Sequence, residues 1–564
     1  SWTQLPTTLT HLAFGAKFNE QMENIRLPDS LLALEFGTDF NKPLAAGVLP
    51  SKLIELTFGN HFNQHLPPGV LPSSLNSLIF GSEFDQPLRF GMPMKHTIHS
   101  SSQPMITRYN HPFTPGIIPH SLNHLTLSFY YDQPILPGVL PSSLTYLCFG
   151  NNFKQPLIKG VLPRSLTELK LGSEFNHRLE PGVLPHSITH LTLGYHFNQR
   201  LIPGSLPTCL IMLTCGSFFN QSIDPGTLPS GLKELVFGLR YNQPIPPGVL
   251  SESLLSLSFG VDFNCQLEVG SLPPRLSRLT FGLEFDQTFV PGVLPTSLTK
   301  LSFGSMFNQP LVPGALPNGL LDIMFGKDFN QTLSPGVLPN KLEALLFGVN
   351  FDQPLVANAL PSSLLRLKFG DKFNQPLPAG VLPECLRSVR LGPSFNQDAS
   401  KVVLPASVNL LALVDLSRQG KYLANISSKS IKVVSADRVT DFVDSATSTI
   451  FKASVDGGDD DAGVHVDHLV LTYNTKDLYD YQGLVGKCAN NFGTITFVDV
   501  NTRLPRLYQI RSLNDSSHQP DLMLCVCFNR GFTNINCNVQ QDIRYTFFKA
   551  STFAKSDLIS FNSF

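Results

Sequence analysis

One stretch, Leu294-Pro-Thr-Ser-Leu-Thr-Lys-Leu-Ser-Phe-Gly-Ser-Met-Phe-Asn-Gln-Pro-Leu-Val-Pro-Gly-Ala315, returns along the chain every 22 residues and limits what the chain can fold into. Its anchor recurs at Ile118, Leu140, Leu162, Leu184, Leu206, Leu228, Leu250, Leu272, Leu294, Leu316, Leu338, Leu360, Leu382 and Leu404 without a slip, and earlier anchors fall at Leu5, Leu27, Leu49, Leu71 and Met92. A unit this short cannot bury an apolar face alone, so a fixed period means that each copy stacks on the next. A chain of 564 residues with 42% apolar content could otherwise bury several globular cores; the repeat replaces them by one elongated stack.

Counting the anchor as position 1, apolar residues fall at positions 5, 8 and 10, as in Leu298, Leu301 and Phe303. The alternation at 8, 9 and 10 predicts a short strand whose positions 8 and 10 point inward while 7 and 9 point outward. Position 11 is glycine in nearly every unit, Ser128 being an exception, which suits a chain leaving the strand through a conformation that a Cβ would obstruct. Position 14 is aromatic in 18 units, from Phe18 to Phe395 and including Tyr109. Stacked copies predict an aromatic column, each ring contributing about 2 to 3 kcal/mol by burial. Position 15 is Asn or Asp except at Lys154, and a short polar side chain recurring beside a turn can bond the backbone of its own and the next coil. Phe153, Phe175, Asn176, Phe197, Asn198, Phe307, Asn308, Phe329 and Asn330 are therefore expected to form a structural ladder. Pro-Gly at positions 20 and 21 turns the chain back, and prolines at 2, 17 and 20 leave little room for a helix on the return arm.

The pattern Leu-x-x-Leu-x-Phe-Gly-x-x-Phe-Asn-Gln-Pro-Leu resembles the FNIP repeat, a 22-residue relative of the leucine-rich repeat familiar from social amoebae and giant viruses, over about residues 5 to 414. The resemblance implies a leucine-rich-repeat-like solenoid engaged in protein interaction and, in some viral relatives, an accompanying F-box that recruits a ubiquitin ligase. No F-box-like helical segment precedes Leu5, and the Asn falls two places later than in the ordinary leucine-rich repeat, after an added Gly. The expected fold is mainly β: a solenoid of about 18 repeats over residues 1–414, with an insertion near 94–108, followed by a C-terminal antiparallel β domain over residues 415–564.

The outward strand positions differ from unit to unit. Tyr146, Glu168, Lys170, His190, Glu234, Arg278, Lys300, Asp322, Arg366, Lys368 and Arg390 form the candidate partner face, to which His11, Glu55 and Ser77 also belong. A column that varies while its neighbours repeat is what a surface reading one particular partner needs; a face left to solvent varies as freely. Arg366, Lys368, Arg387 and Arg390 give the C-terminal repeats a modest basic bias, which reads as a solvated face before it reads as an anion site.

Between Met92 and Ile118 the period stretches to 26 residues; the strand pattern is lost from Met94 to Ile106 and Tyr109-Asn110-His111-Pro112 restores it. His96, His99, His111, His120 and His124 gather there without a ligand spacing and read as loop and face residues. After Leu410-Leu-Ala-Leu413 candidate strands fall at Ser430–Val434, Val464–Tyr473, Gly493–Val500, Arg506–Arg511, Leu522–Phe528 and Ile543–Lys549, which predicts an antiparallel sandwich or barrel that covers the open end of the stack or binds a second partner. Asp456-Gly-Gly-Asp-Asp-Asp461 with His465, Asp467 and His468 matches no metal loop and reads as a solvated turn. Cys488, Cys525, Cys527 and Cys537 lack paired Cys-x-x-Cys knuckles and read as core thiols.

Formal net charge is −1 with only 15% charged residues, which gives no electrostatic footprint for nucleic acid or an anionic membrane. Nine cysteines are too sparse for a disulfide scaffold and fit a reducing, cytoplasmic compartment, host cytoplasm or virion if the chain is viral. No apolar run approaches the roughly 18 residues that span a bilayer. No phosphate loop, dinucleotide fingerprint or nucleophile elbow is present. The expectation is a non-enzymatic protein-interaction scaffold without catalytic residues, cofactor or metal, its partner a protein rather than nucleic acid or membrane. A structural component of a large assembly such as a giant-virus particle is the alternative, and an F-box upstream of Ser1 would make the chain a ubiquitin-ligase substrate adaptor.

Overall fold

A computed structural model of the chain describes residues 5–67, 69–84 and 118–415, Gln419 and Tyr422, and the backbone of the strands between 430 and 549. The chain divides into two units, Ser1–Gln287 and Thr288–Phe564, a boundary that falls inside the repeated segment.

In the first unit every described coil contributes one three-residue strand at positions 7 to 9. These are β1 His11–Ala13, β2 Ala33–Glu35, β3 Glu55–Thr57, β4 Ser77–Ile79, β5 His124–Thr126, β6 Tyr146–Cys148, β7 Glu168–Lys170, β8 His190–Thr192, β9 Met212–Thr214, β10 Glu234–Val236, β11 Ser256–Ser258 and β12 Arg278–Thr280. Neighbours pair in parallel with like positions opposite each other, as in Tyr146↔Glu168, Leu147↔Leu169 and Cys148↔Lys170. Register is fixed because position 8 must face the core: Leu147 and Leu169 are fully buried, and a slip of one residue would expose them.

Most described coils are closed by three tight turns; in two coils a three-residue 3-10 helix, Met22–Asn24 or Ala399–Lys401, stands on the return arm. In the coil anchored at Leu162, the Leu166 N–H donates to the Pro163 carbonyl (3.1 Å), Phe175 to Gly172 (3.1 Å) and Val183 to Glu180 (3.1 Å). The last turn places Gly182 at φ +83°, the geometry of a type II turn, whose third residue needs positive φ. Asn358 takes that place in one coil at φ +63° and is the one non-glycine residue with positive φ among the described residues; Asn tolerates the left-handed region better than most side chains.

Position 11 is glycine for a different reason from the one its sequence suggests. Its φ is not positive; instead a Cβ on Gly172 would lie 2.1 Å from the carbonyl oxygen of Gly150 one coil away, and on Gly348 1.7 Å from that of Gly326. Successive coils approach here backbone to backbone.

The break in the repeat is larger than the stretched period indicates. Ser77 pairs directly with His124, Leu78 with Leu125 and Ile79 with Thr126, so β5 follows β4 in the sheet. Ser121 Oγ donates to the Leu75 carbonyl across 46 positions, whereas the equivalent Ser165–Leu144 bond spans 21. Among the described residues β1–β17 make seventeen three-residue strands, with β5 the partner of β4, where eighteen units were expected. Ser128 closes the coil after the break, its buried Oγ donating to the Phe84 carbonyl at 2.6 Å. Residues 94–108 and His96, His99 and His111 lie outside the described residues.

The second unit, described by itself, has the same kind of coil, with β13 Lys300–Ser302, β14 Asp322–Met324, β15 Ala344–Leu346, β16 Arg366–Lys368, β17 Ser388–Arg390 and β18 Leu410–Asp415. A two-residue strand, β19 Ser430–Ile431, is followed by longer ones: β20 Val433–Arg438, β21 His465–Tyr473, β22 Phe492–Asp499, β23 Leu507–Ser512, β24 Leu522–Phe528 and β25 Arg544–Lys549. They lie where the candidate strands were drawn, but their pairing differs from the antiparallel sheet expected. β18–β20, β20–β21 and β21–β22 are parallel, and only β22–β23, β23–β24 and β24–β25 are antiparallel. The open edge of β18 offers unpaired backbone groups that the next strand extends in the same direction.

Tyr422 and Gln419, both fully buried, finish the last aromatic coil. The Tyr422 ring lies 5.1 Å from that of Phe395, and its hydroxyl donates to the Gln397 carbonyl at 2.7 Å. Gln419 Nε2 donates to the carbonyls of Gly392 (2.6 Å) and Phe395 (3.2 Å).

Candidate interaction face

Three ladders hold the strands in place. The first is aromatic: Phe153 and Phe175 stack at 6.2 Å and 3°, Phe175 and Phe197 at 6.3 Å and 2°, and Phe307 and Phe329 at 6.0 Å and 5°. Where position 10 is also Phe it stacks on the ring at position 14 of its own coil, as Phe325 does on Phe329 at 3.9 Å.

The second ladder is amide. Asn176 Oδ1 accepts from the Asn198 backbone N–H at 2.9 Å and from Gln199 Nε2 at 3.2 Å, and Asn198 Oδ1 serves Asn220 and Gln221 in the same way. Asn308 does so for Asn330 and Gln331, and Asn330 for Asp352 and Gln353. At Lys154 no such oxygen is offered; position 16 of the next coil is there His177, whose ring lies 2.7 Å from the Lys154 carbonyl.

The third ladder was not read from the sequence, although its signal was there in the serine that recurs at position 4. Ser143, Ser165 and Ser187 Oγ each donate at 2.6 Å to the position-5 carbonyl of the preceding coil.

Held by these ladders, positions 7 and 9 are half-exposed or exposed in nearly every strand, Ala344 being buried. In the first unit the candidate residues of β6–β8 come together. Tyr146 is flanked by His124, stacked at 3.9 Å and 3°, and by Lys170, whose Nζ lies 5.2 Å from the ring centroid and 3.1 Å from Glu168 Oε1. His190 sits opposite Glu168 on β8. Burial holds the His124 pKa below its usual value, so the ring is neutral at pH 7. Hydrogen bonding to Glu168 raises the Lys170 ammonium, which stays charged. Burial pushes the Tyr146 phenol and the neighbouring Cys148 thiol up, leaving no thiolate to act as a nucleophile. The cluster is a pre-ordered aromatic and ionic surface rather than a reactive one. Glu234 on β10 and Arg278 on β12 share the face but are separated by β11.

In the second unit Lys300 and Asp322 are register partners on β13 and β14. Arg366 and Lys368 project from β16 beside Arg390 on β17. Leu346 lies on one side of that group and Leu410 on the other, both half-exposed.

A rim of exposed aromatic groups at positions 12 and 13 also escaped the sequence reading, which considered only 7 and 9. Tyr195 and Phe218, 46% and 38% exposed, meet edge to face at 5.3 Å; His196 stacks on Phe218 at 4.9 Å and Arg240 lies 5.9 Å from it. His196 pairs with Glu174 and Arg240 with Asp262.

Among the described residues no group of three His, Cys, Asp or Glu side chains is placed to hold a metal ion, and no helix is long and apolar enough to cross a membrane. The Asp456–Asp461 run, Cys488 and Cys537 lie outside the described residues, as do the side chains of His465, Asp467, His468, Cys525 and Cys527.

No curated protein matches the chain. Among solved structures it is similar to one described as the crystal structure of CroV588, a novel circular LRR protein. The two are 38% identical, with a TM-score of 0.59, over 76% of this chain and 69% of that one. The family model for the FNIP Repeat matches residues 3–39, 25–61, 62–92, 109–152, 153–196, 197–240, 241–284, 285–328, 329–372 and 373–414. With the 22-residue coil, its ladders and this coverage together, the chain belongs to the family of FNIP-repeat proteins.

Proposed function

We propose that the protein is a non-enzymatic interaction scaffold that holds a protein partner on the outward face of its parallel sheet. The observation that carries this reading is the contrast within one strand: position 8 is a buried Leu, Ile or Val from β2 to β17, while positions 7 and 9 run through Tyr146, Glu168, Lys170, His190 and Arg278 on the same rigid frame. Aromatic and cationic groups held in one conformation lose little entropy on binding, and Tyr and Arg are enriched at the centres of protein interfaces. Residues 415–564, most of whose strands are at least twice the length of the repeat's, act in this reading as the closing segment of the second unit, or present a second surface.

The test is site-specific photo-cross-linking. A photoreactive residue at Lys170 in the first unit, or at Lys300 in the second, should trap a protein partner, while one at the return-arm positions Ile158 or Val312 should not. Cross-linking from the return arm alone would overturn the proposal.

A further inference from the structure

The second unit carries three cations on two adjacent strands and a fourth immediately before one of them. Arg366 and Lys368 on β16 are exposed, Arg390 opposite Lys368 on β17 is half-exposed, and Arg387 stands exposed immediately before β17. Strands lie about 4.8 Å apart and like-facing neighbours along a strand about 7 Å, so the four charges share a small area. Cations of the first unit with close carboxylates include Lys170 with Glu168, Arg200 with Asp224 and Arg240 with Asp262. Arg366, Lys368 and Arg387 make no such ion pair among the described residues. Arg366 and Lys368, like charges on one strand, repel one another, and an incoming anion relieves that repulsion.

The surroundings select the kind of anion. Outward positions of the flanking strands are Ala344 and Leu346 on β15 and Leu410 and Ala412 on β18. A phosphate backbone needs a continued track of donors, and these flanks offer none. The whole chain, with 41 Lys and Arg against 42 Asp and Glu, provides no long-range field for a polyanion. An acidic protein segment that also carries apolar side chains matches both the charges and the flanks. Resting on the interaction-scaffold reading, we infer that the β16–β17 face recognises an acidic, apolar-flanked segment of the partner protein.

The experiment uses the full chain and a fluorescein-labelled peptide alternating Glu and Leu, followed by fluorescence anisotropy at low and high salt. Controls are the same peptide with Gln for Glu and an oligothymidylate of equal charge. The Glu peptide should bind roughly tenfold more tightly than either control and weaken as salt rises, since screening acts on exposed charges. Arg366→Glu with Lys368→Glu should weaken it roughly tenfold, with Lys341→Glu, in the turn before β15, leaving it unchanged. If the reversed pair lowers the unfolding midpoint, Arg366→Gln with Lys368→Gln carries the same comparison. Peptide binding indifferent to these changes, or tighter binding of the oligothymidylate, overturns the inference. Cross-links from Lys170 and Lys300 in that case leave the scaffold reading standing; their absence removes both.

Discussion

Glycine at position 11 and glycine at position 21 recur for separate physical reasons. Gly182 is needed for its φ of +83°, whereas Gly172 is needed because a Cβ would collide with the Gly150 backbone. Sequence alone shows both as recurrent glycines, with Ser128 and Asn358 as departures, and cannot tell a strained dihedral from a close approach, so the conformational reason suggested for position 11 is not the one the structure gives. Single departures from the repeat are informative in the same way. Tyr241 sits at position 14, where the flanking coils carry Phe219 and Phe263, and its buried hydroxyl has no hydrogen-bond partner. A buried donor left unmade is costly, so Tyr241→Phe should stabilise the protein by about 1 kcal/mol in denaturant unfolding at pH 7. Burial also raises the Tyr241 pKa. A raised phenol contributes stability that is complete below the unfolded value near pH 10 and lost as pH rises beyond it. The Phe variant should therefore lose less stability than the parent above about pH 10.

At the scale of the element, the coil is one short strand and three turns, and much of it was legible. Period-2 alternation marked the strand, Pro-Gly marked the return, and Asn at position 15 marked a polar column that Asn176 and Asn198 occupy with bonds of 2.9 Å. What was not legible depends on residues that occur once. Gln419 and Tyr422 belong to no repeat, yet they cover the ring of Phe395 and the carbonyls of Gly392, Phe395 and Gln397. Burial raises the Tyr422 phenol to about 12, in keeping with a hydroxyl held neutral against the coil. Tyr422→Ala should cost about 3 kcal/mol, the usual range for removing a buried aromatic ring. Amide exchange checks it: the Leu391 and Phe395 amides should exchange faster while those of β13 and β14 are unchanged. Uniform acceleration throughout the second unit would mean that the ring supports the whole unit rather than its last coil.

At the scale of the molecule, the repeat strands of each unit follow one nearest-neighbour rule, and the sequence misleads on which strand pairs with which. Tyr109-Asn110-His111-Pro112 has the residues of a coil, but β4 pairs with β5 across it; local pattern carries no information on which strand a sheet edge accepts. The division between residues that build the coil and residues free to recognise a partner is the central claim, and an alanine scan of Leu294–Ala315 tests it most directly. Denaturant unfolding and photo-cross-linking would be read on the same variants. Phe307→Ala should cost about 3 to 5 kcal/mol and Asn308→Ala about 1 to 3 kcal/mol, by stranding the Asn330 amide and Gln331. Lys300→Ala and Ser302→Ala should stay within about 0.5 kcal/mol of the parent while weakening partner cross-linking from the face. Equal losses of stability at Lys300 and Asn308, with cross-linking untouched at both, would contradict the account.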